Sequence, residues 1–473
     1  MTTQLQNFIN GSYQASSSGR TAMIDNPATG DILAEVDLSC AAEIPPIVND
    51  ALTAQRHWAS LAPLQRAQIL RRFAKHIDHH QDELAQLICL EQGKTYAEAQ
   101  AELTQGIATV EFASQLPEQI VTGDHLTHPV GVCVGITPFS YPALMPLWLF
   151  PIALGCGNSF ILKPSERTPS VALRLAELLH QAGLPEGVLQ IVLGDKEAVD
   201  ALITDPNVNA VSFIGSSRVA EAVYHKASST GKRVQAFGSA KNHLLVAPDA
   251  DLHQVSNALI PAAFAMAGEH CMAISVVVVV GEQRADELVG ELAAKAQSLK
   301  VGSGLAQPAN ELGPLISEAH RLKVRGDIEQ GEKDGATLVV DGRELNSETG
   351  YFLGASLFDH VTPTMRLYRH EILGPVLAIV RVASIEEGVA LINSHPLAQF
   401  SAIFSRDETL IEQFVQQVNI GLIGINQAQP NLMPGQSISG WRQTGFGPLG
   451  LGGDDAIRFF TQVKTLCREP LSL

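Results

Sequence analysis

One cysteine stands in the setting best suited to covalent chemistry. Cys271 lies in Gly268-Glu269-His270-Cys271-Met272-Ala273, after an apolar, helix-compatible run and before the β-branched block Ile274–Val280. Glycine lets backbone approach a ligand closely, and β-branched residues favour a strand, so the thiol falls at a helix-to-strand junction. A thiol there could act as a nucleophile. Composition alone favours the blander reading, because free cysteine is among the most buried residue types and is usually inert packing. Glu269 and His270 add acid–base side chains beside it. Adjacent residues usually point apart, so His270 reads as pocket wall or packing, and Glu269 as a solvated or helix-facing carboxylate.

The elements that must position this thiol follow an α/β rhythm. An Asn10-Gly11 turn and the Asn26–Gly30 segment mark surface β-hairpins at the start, and residues 41–112 are helical in pattern. Strands are predicted at Gly131–Ile136, Ser159–Leu162, Val188–Leu193 and Ala210–Ile214. They alternate with helices at 141–155, Ser170–Ala182, Ala198–Ile203 and Ser217–Ser228. That is the layout of a nucleotide-binding domain with a parallel sheet, yet it has no GxGxxG fingerprint: Gly131 and Gly135 fall within a strand. A second α/β region begins at Asn242, and a glycine-rich tail leads to an expected strand over Ile457–Leu466.

At 473 residues the chain exceeds one ordinary core. The expected division is a cofactor domain over 1–116 and 130–239, a catalytic domain over 240–440, and oligomerisation strands over 117–129 and 455–473. With 45% hydrophobic and 17% charged residues it has a globular composition, and its net charge of −17 argues against nucleic acid or anionic membrane as a partner. Six scattered cysteines without a CxxC pair or metal-ligand spacing indicate reduced thiols and no metal site. No signal-peptide pattern is seen, and prolines 142, 146 and 151 make the apolar stretch 141–155 a buried helix rather than a span, so a cytoplasmic location is expected.

Seven ordered segments together resemble the aldehyde dehydrogenase superfamily over nearly the whole chain. They are Leu90–Thr95, Gly155–Pro169, Phe213–Ser216, Ala240–His243, Gly268–Ala273, Glu371–Pro375 and Phe459–Thr465. The nearest branch is that of methylmalonate-semialdehyde dehydrogenase, which acylates coenzyme A. The resemblance implies a Rossmann-like cofactor domain, an α/β catalytic domain and a small β extension that builds a homodimer or homotetramer. It implies Cys271 as nucleophile, Lys163 and Glu166 on the adenosine ribose, Gly215 and Ser216 near the pyrophosphate, and Glu371 on the nicotinamide ribose. A carboxylate at Glu166 suits a free 2′-hydroxyl and repels a 2′-phosphate, which favours NAD over NADP.

The sequence also departs from the family. Phe237 occupies the place of the usual water-activating glutamate, and Gln462 that of a second one. Both absences are shared with the coenzyme A-acylating branch. Water needs a base to attack a thioester, whereas a thiol of pKa about 8.5 is partly ionised already, so coenzyme A is the expected acceptor. The alternatives are a hydrolytic aldehyde dehydrogenase and a nucleotide-binding paralogue without turnover. The branch's two carboxylate-binding arginines are replaced by Gln105 and His270, which with Tyr141 are expected to line the substrate pocket. A neutral or differently substituted aldehyde is therefore expected in place of a carboxylated one. Ser140 stands where the family has its oxyanion-binding asparagine.

Overall fold

The computed structural model describes residues 3–119, 125–345, 349–430 and 432–467. Its centre is two sheets. The first has eight strands in the spatial order 445–446, 233–237, 208–214, 132–136, 159–163, 189–191, 7–9 and 12–14. Its four inner pairings are parallel, with Val132–Ile136 hydrogen-bonded between Ser159–Lys163 and Val208–Ile214. Strands buried on both faces need near-continuous apolar sequence, which these segments have. Helices Leu144–Gly155, Ser170–Gln181, Lys196–Thr204 and Ser217–Ser228 provide the crossovers.

The second sheet has seven strands, ordered 337–340, 356–359, 376–382, 274–280, 242–246, 400–404 and 422–425. Ile274–Val280 pairs parallel with both Asn242–Val246 and Val376–Val382. Each sheet has a large apolar core of its own. Four helices, Ile44–Ser60, Pro63–His79, Gln81–Gln92 and Tyr96–Ala113, cover the region expected to be helical.

Three expectations need correction. The N-terminal hairpin is no surface appendage, because Asn7–Ile9 extends the first sheet against Leu189–Ile191. Residues 457–460 belong to a helix, Gly453–Phe460, and the C-terminal strand is confined to Thr461–Thr465. Asp454 and Asp455 in the first turn favour that helix, and its Ala456, Phe459 and Phe460 are buried together. Pro117 likewise lies in a short helix, Leu116–Gln119. The expected ribbon survives as His125–Pro129 paired antiparallel with Thr461–Thr465; residues 120–124 and 468–473 lie outside the described residues. Finally, the glycine-rich tail returns to the first sheet, where Gly445–Phe446 pairs with Ala236–Phe237.

Candidate active site

The thiol is held at the mouth of an unwound helix. Helix Leu252–Phe264 ends in a tight turn over Ala265–Gly268, in which Met266 and Ala267 adopt φ of 53° and Gly268 one of 69°. Left-handed backbone is costly for Met and Ala, so surrounding structure must impose it. Two contacts do so. The Met266 N–H donates to Glu98 Oε1 at 2.7 Å. Gly268 is pressed on Gly374 of the Glu371–Pro375 segment so closely that a Cβ there would sit 2.2 Å from the Gly374 carbonyl oxygen. On the other flank, the buried Asn242 amide donates to the carbonyls of Cys271 (2.8 Å) and Ala273 (3.0 Å). Its Oδ1 accepts the Phe400 N–H at 3.1 Å, so one side chain ties the loop to two strands.

Cys271 is half-buried where two cavities meet. Burial pushes its thiol up, and the nearby Glu371 carboxylate pushes it further, to about 12. His270 is buried, is held neutral by burial and by the Lys94 ammonium, with its pKa lowered to about 3, and stacks edge-on against Tyr141 at 6.1 Å. Neither of its ring nitrogens has a hydrogen-bond partner among the described residues. Glu269 corrects its expectation. It is fully buried, accepts the Ile316 N–H at 3.1 Å, and burial raises its carboxyl well above the ordinary range. It is a structural acid turned away from the solvent, unsuited to serve as a base toward Cys271.

The larger cavity, about 260 Å³, runs between Cys271 and helix Tyr96–Ala113. Glu98, Glu102 and Gln105 recur at helical spacing on the face that lines it. Glu98 completes a capping box with Thr95, accepting that residue's N–H at 2.7 Å. Glu102 accepts the N–H groups of Ala143 (2.8 Å) and Leu144 (2.9 Å), capping helix Leu144–Gly155. Its other oxygen pairs with Lys94, a fully buried ammonium that also donates to the Ser140 carbonyl at 2.9 Å and lies 4.7 Å from the Tyr141 ring centroid. Tyr141, Gln105 and His270, the residues expected in a substrate pocket, line the cavity together with Phe237. Ser140 does not line it; it is half-buried beside Tyr141, and its carbonyl, turned to Lys94, is the group the structure employs.

Of the residues expected to hold a cofactor, Ser216 and Glu371 border a second cleft. Lys163, buried at the end of its strand, donates to Glu166 Oε2 at 2.8 Å. Burial tends to raise the Glu166 carboxyl, but the Lys163 charge and hydrogen bond outweigh it and hold the group below its ordinary range. Gly215 leaves the strand Val208–Ile214, and Ser216 caps helix Ser217–Ser228 without a side-chain hydrogen bond; the Ser217 N–H donates to Ser239 Oγ at 3.3 Å and the Val219 N–H to the Ser216 carbonyl at 3.0 Å, which leaves the Arg218 N–H for an anion. Ser216, Ser217, Lys323 and Glu371 border a cleft of about 740 Å³. Glu371 itself accepts the Ala240 N–H at 2.8 Å. An ionised carboxylate for a ribose, an open helix N-terminus for a pyrophosphate, and Glu371 next to the thiol form a donor set that fits a dinucleotide.

Sequence reasoning missed the scaffold of the site. Asn242, Lys94, Glu98 and Glu102 stood in recognised or neighbouring segments without a role. The capping-box pattern Thr95-x-x-Glu98 was a signal that a helix starts there. Nothing local signalled that Glu98 would also hold Met266, 168 residues away.

Comparison with known proteins agrees with this geometry. The aldehyde dehydrogenase family model matches residues 13–466. The chain belongs to the aldehyde dehydrogenase family. Within the family it is 44% identical to a malonate-semialdehyde dehydrogenase of Pseudomonas aeruginosa, covering 98% of this chain and 96% of the relative. Its fold superposes on a methylmalonate-semialdehyde dehydrogenase from Oceanimonas doudoroffii with a TM-score of 0.96 at 43% identity, covering 100% and 99% of the two chains. It also superposes on the NAD+ complex of an aldehyde dehydrogenase from Bacillus cereus, with a TM-score of 0.92 at 29% identity over 98% and 96%. An aldehyde-oxidising enzyme of the NAD-dependent kind is thus the framework for the site.

Proposed function

We propose that this enzyme oxidises an aldehyde with NAD through a thioester on Cys271 and passes the acyl group to coenzyme A. The observation that carries the choice of acceptor is the state of the carboxylates around the cavity. Phe237 lines it where a base would be needed, and both oxygens of Glu98 and of Glu102 already accept hydrogen bonds. Neither is free to take a proton from water, whereas a thiol acceptor ionises without such help.

In this reading the Cys271 thiol adds across the aldehyde carbonyl, its sulfur to carbon and its proton to oxygen, giving a thiohemiacetal whose oxygen lies against the Cys271 N–H. NAD, when bound, supplies the acceptor for the hydride, and Lys163, Glu166, Ser216 and Glu371 are the residues that hold it. Loss of the hydride, with the hydroxyl proton released to solvent, leaves a thioester. The thiolate of coenzyme A then adds to its carbonyl, and the Cys271 sulfur leaves, regenerating the enzyme. Asn242 keeps the sulfur-bearing loop in one position throughout, an orientation effect.

The malonate- and methylmalonate-semialdehyde names of the relatives agree with an acylating reaction of this type. Among the described residues no helix is long and apolar enough to cross a membrane. We place the enzyme in the cytoplasm as a homodimer or homotetramer. The exposed ribbon Gln462–Thr465, with Val463 at 66% exposure, is the surface for assembly. Sedimentation at micromolar concentration tests that, with a monomer as the contrary result. Steady-state NADH formation with and without coenzyme A tests the reaction itself. Turnover that requires coenzyme A and yields an acyl-coenzyme A is the expected result, and undiminished turnover without it is the contrary one.

A further inference from the structure

The cavity beside Cys271 has the wrong electrostatics for a carboxylated aldehyde. Its charged lining side chains, among the described residues, are Glu98 and Glu102, and His270 is held neutral. The nearest cation, Lys94, is spent: it pairs with Glu102, donates to the Ser140 carbonyl and lies under the Tyr141 ring, fully buried. A substrate carboxylate would therefore lose its water with no positive partner and with two glutamates beside it. Most of the remaining wall is apolar, with Leu144, Met145, Trp148, Phe237, Leu432 and Ile438 among its lining, and its polar members, the amides of Gln105, Gln399 and Gln429 and the rings of Tyr141 and His270, carry no positive charge. The amides of Gln105 and Gln399, which make no side-chain hydrogen bond among the described residues, offer uncharged polar contacts.

We propose that the substrate is an uncharged, predominantly apolar aldehyde. Its chain lies along helix Tyr96–Ala113 toward Trp148. This rests on the assignment of Cys271 as nucleophile but not on the identity of the acyl acceptor.

The test is the pre-steady-state NADH burst of the full-length enzyme with NAD and no coenzyme A, so the acceptor question cannot affect it. The second-order burst rate is measured for propanal, butanal, pentanal and hexanal, and for malonate and succinate semialdehydes. The rate should climb about three- to fourfold per added methylene, the factor for burying one CH₂. Each semialdehyde should fall at least about tenfold below the neutral aldehyde of equal length, given the cost of burying an unpaired charge. Trp148→Ala, which opens the far end, should move the best chain length upward. A semialdehyde faster than its neutral counterpart, a flat length series, or an optimum unmoved by Trp148→Ala overturns the proposal. Absence of a burst with every aldehyde overturns the Cys271 chemistry beneath it.

Discussion

Asn242→Ala removes a side chain that ties the nucleophile loop to the second sheet. The wild-type amide makes three hydrogen bonds, to the Cys271 and Ala273 carbonyls and from the Phe400 N–H, and it is 1% exposed. At about 1 kcal/mol net per bond, the loop loses about 3 kcal/mol of preference for its observed position, and more if the orphaned groups stay dry. If that whole loss falls on the position of the loop, the population holding the thiol in place drops about 100-fold, since 1.4 kcal/mol is tenfold. Lys163, Glu166 and Ser216, the residues proposed to hold the cofactor, sit at or just past strand ends of the other sheet and should be unaffected. Stopped-flow NADH formation should therefore show a burst rate reduced by one to two orders of magnitude, while the NAD dissociation constant, read by fluorescence titration, changes less than twofold. Asn242→Asp keeps the acceptor for Phe400 and loses both donors, so it should fall nearly as far. A burst rate within threefold of wild type for Asn242→Ala would refute the claim that this amide sets the geometry of the thiol.

Three further outcomes follow from the same structure. The Cys271 thiol, raised to about 12 by burial and Glu371, is protonated in the enzyme without ligands. Its alkylation by iodoacetamide, followed on the Cys271 peptide by mass spectrometry, should therefore rise about tenfold per pH unit from 7 to 10 without the plateau near 9 of an ordinary thiol; a plateau contradicts it. Glu166→Gln removes a charge-assisted contact to the ribose and the repulsion of a 2′-phosphate. NAD should bind about tenfold more weakly and the preference over NADP should shrink, and unchanged dissociation constants for both cofactors would count against Glu166 as the discriminating residue. Lys94→Met leaves Glu102 as an uncompensated buried charge, which costs about 3–5 kcal/mol, so urea unfolding should shift to markedly lower concentration. An unshifted transition would mean that the buried pair contributes nothing.

The architecture was legible because buried parallel strands need uninterrupted apolar runs, and Val132–Ile136, Ser159–Lys163 and Ile274–Val280 leave no other reading. Periodicity failed at 457–460, where Ile-Arg-Phe-Phe suits a strand or a helix and packing of Phe459 and Phe460 decides. It failed also at 265–268, since Ala and Met favour a helix, and only the contacts of Met266 with Glu98 and of Gly268 with Gly374 force it open. Cys271 and the pocket residues Gln105, Tyr141 and His270 could be named from sequence because each lies within or close to a recognisable segment. Glu269 reads as a surface carboxylate because its cover, Ile316 and His320, is about 50 residues downstream. The same holds for Asn242, whose partners Cys271, Ala273 and Phe400 converge only once two parallel strands are in register.

The most direct test of a thioester on Cys271 discharged by coenzyme A is the mass of the enzyme after mixing with NAD and an aldehyde in the absence of acceptor. The account predicts one NADH per active site and a matching acyl adduct on the Cys271 peptide, which disappears as acyl-coenzyme A forms on addition of coenzyme A. Continued NADH production without coenzyme A and with no adduct on Cys271 would contradict it.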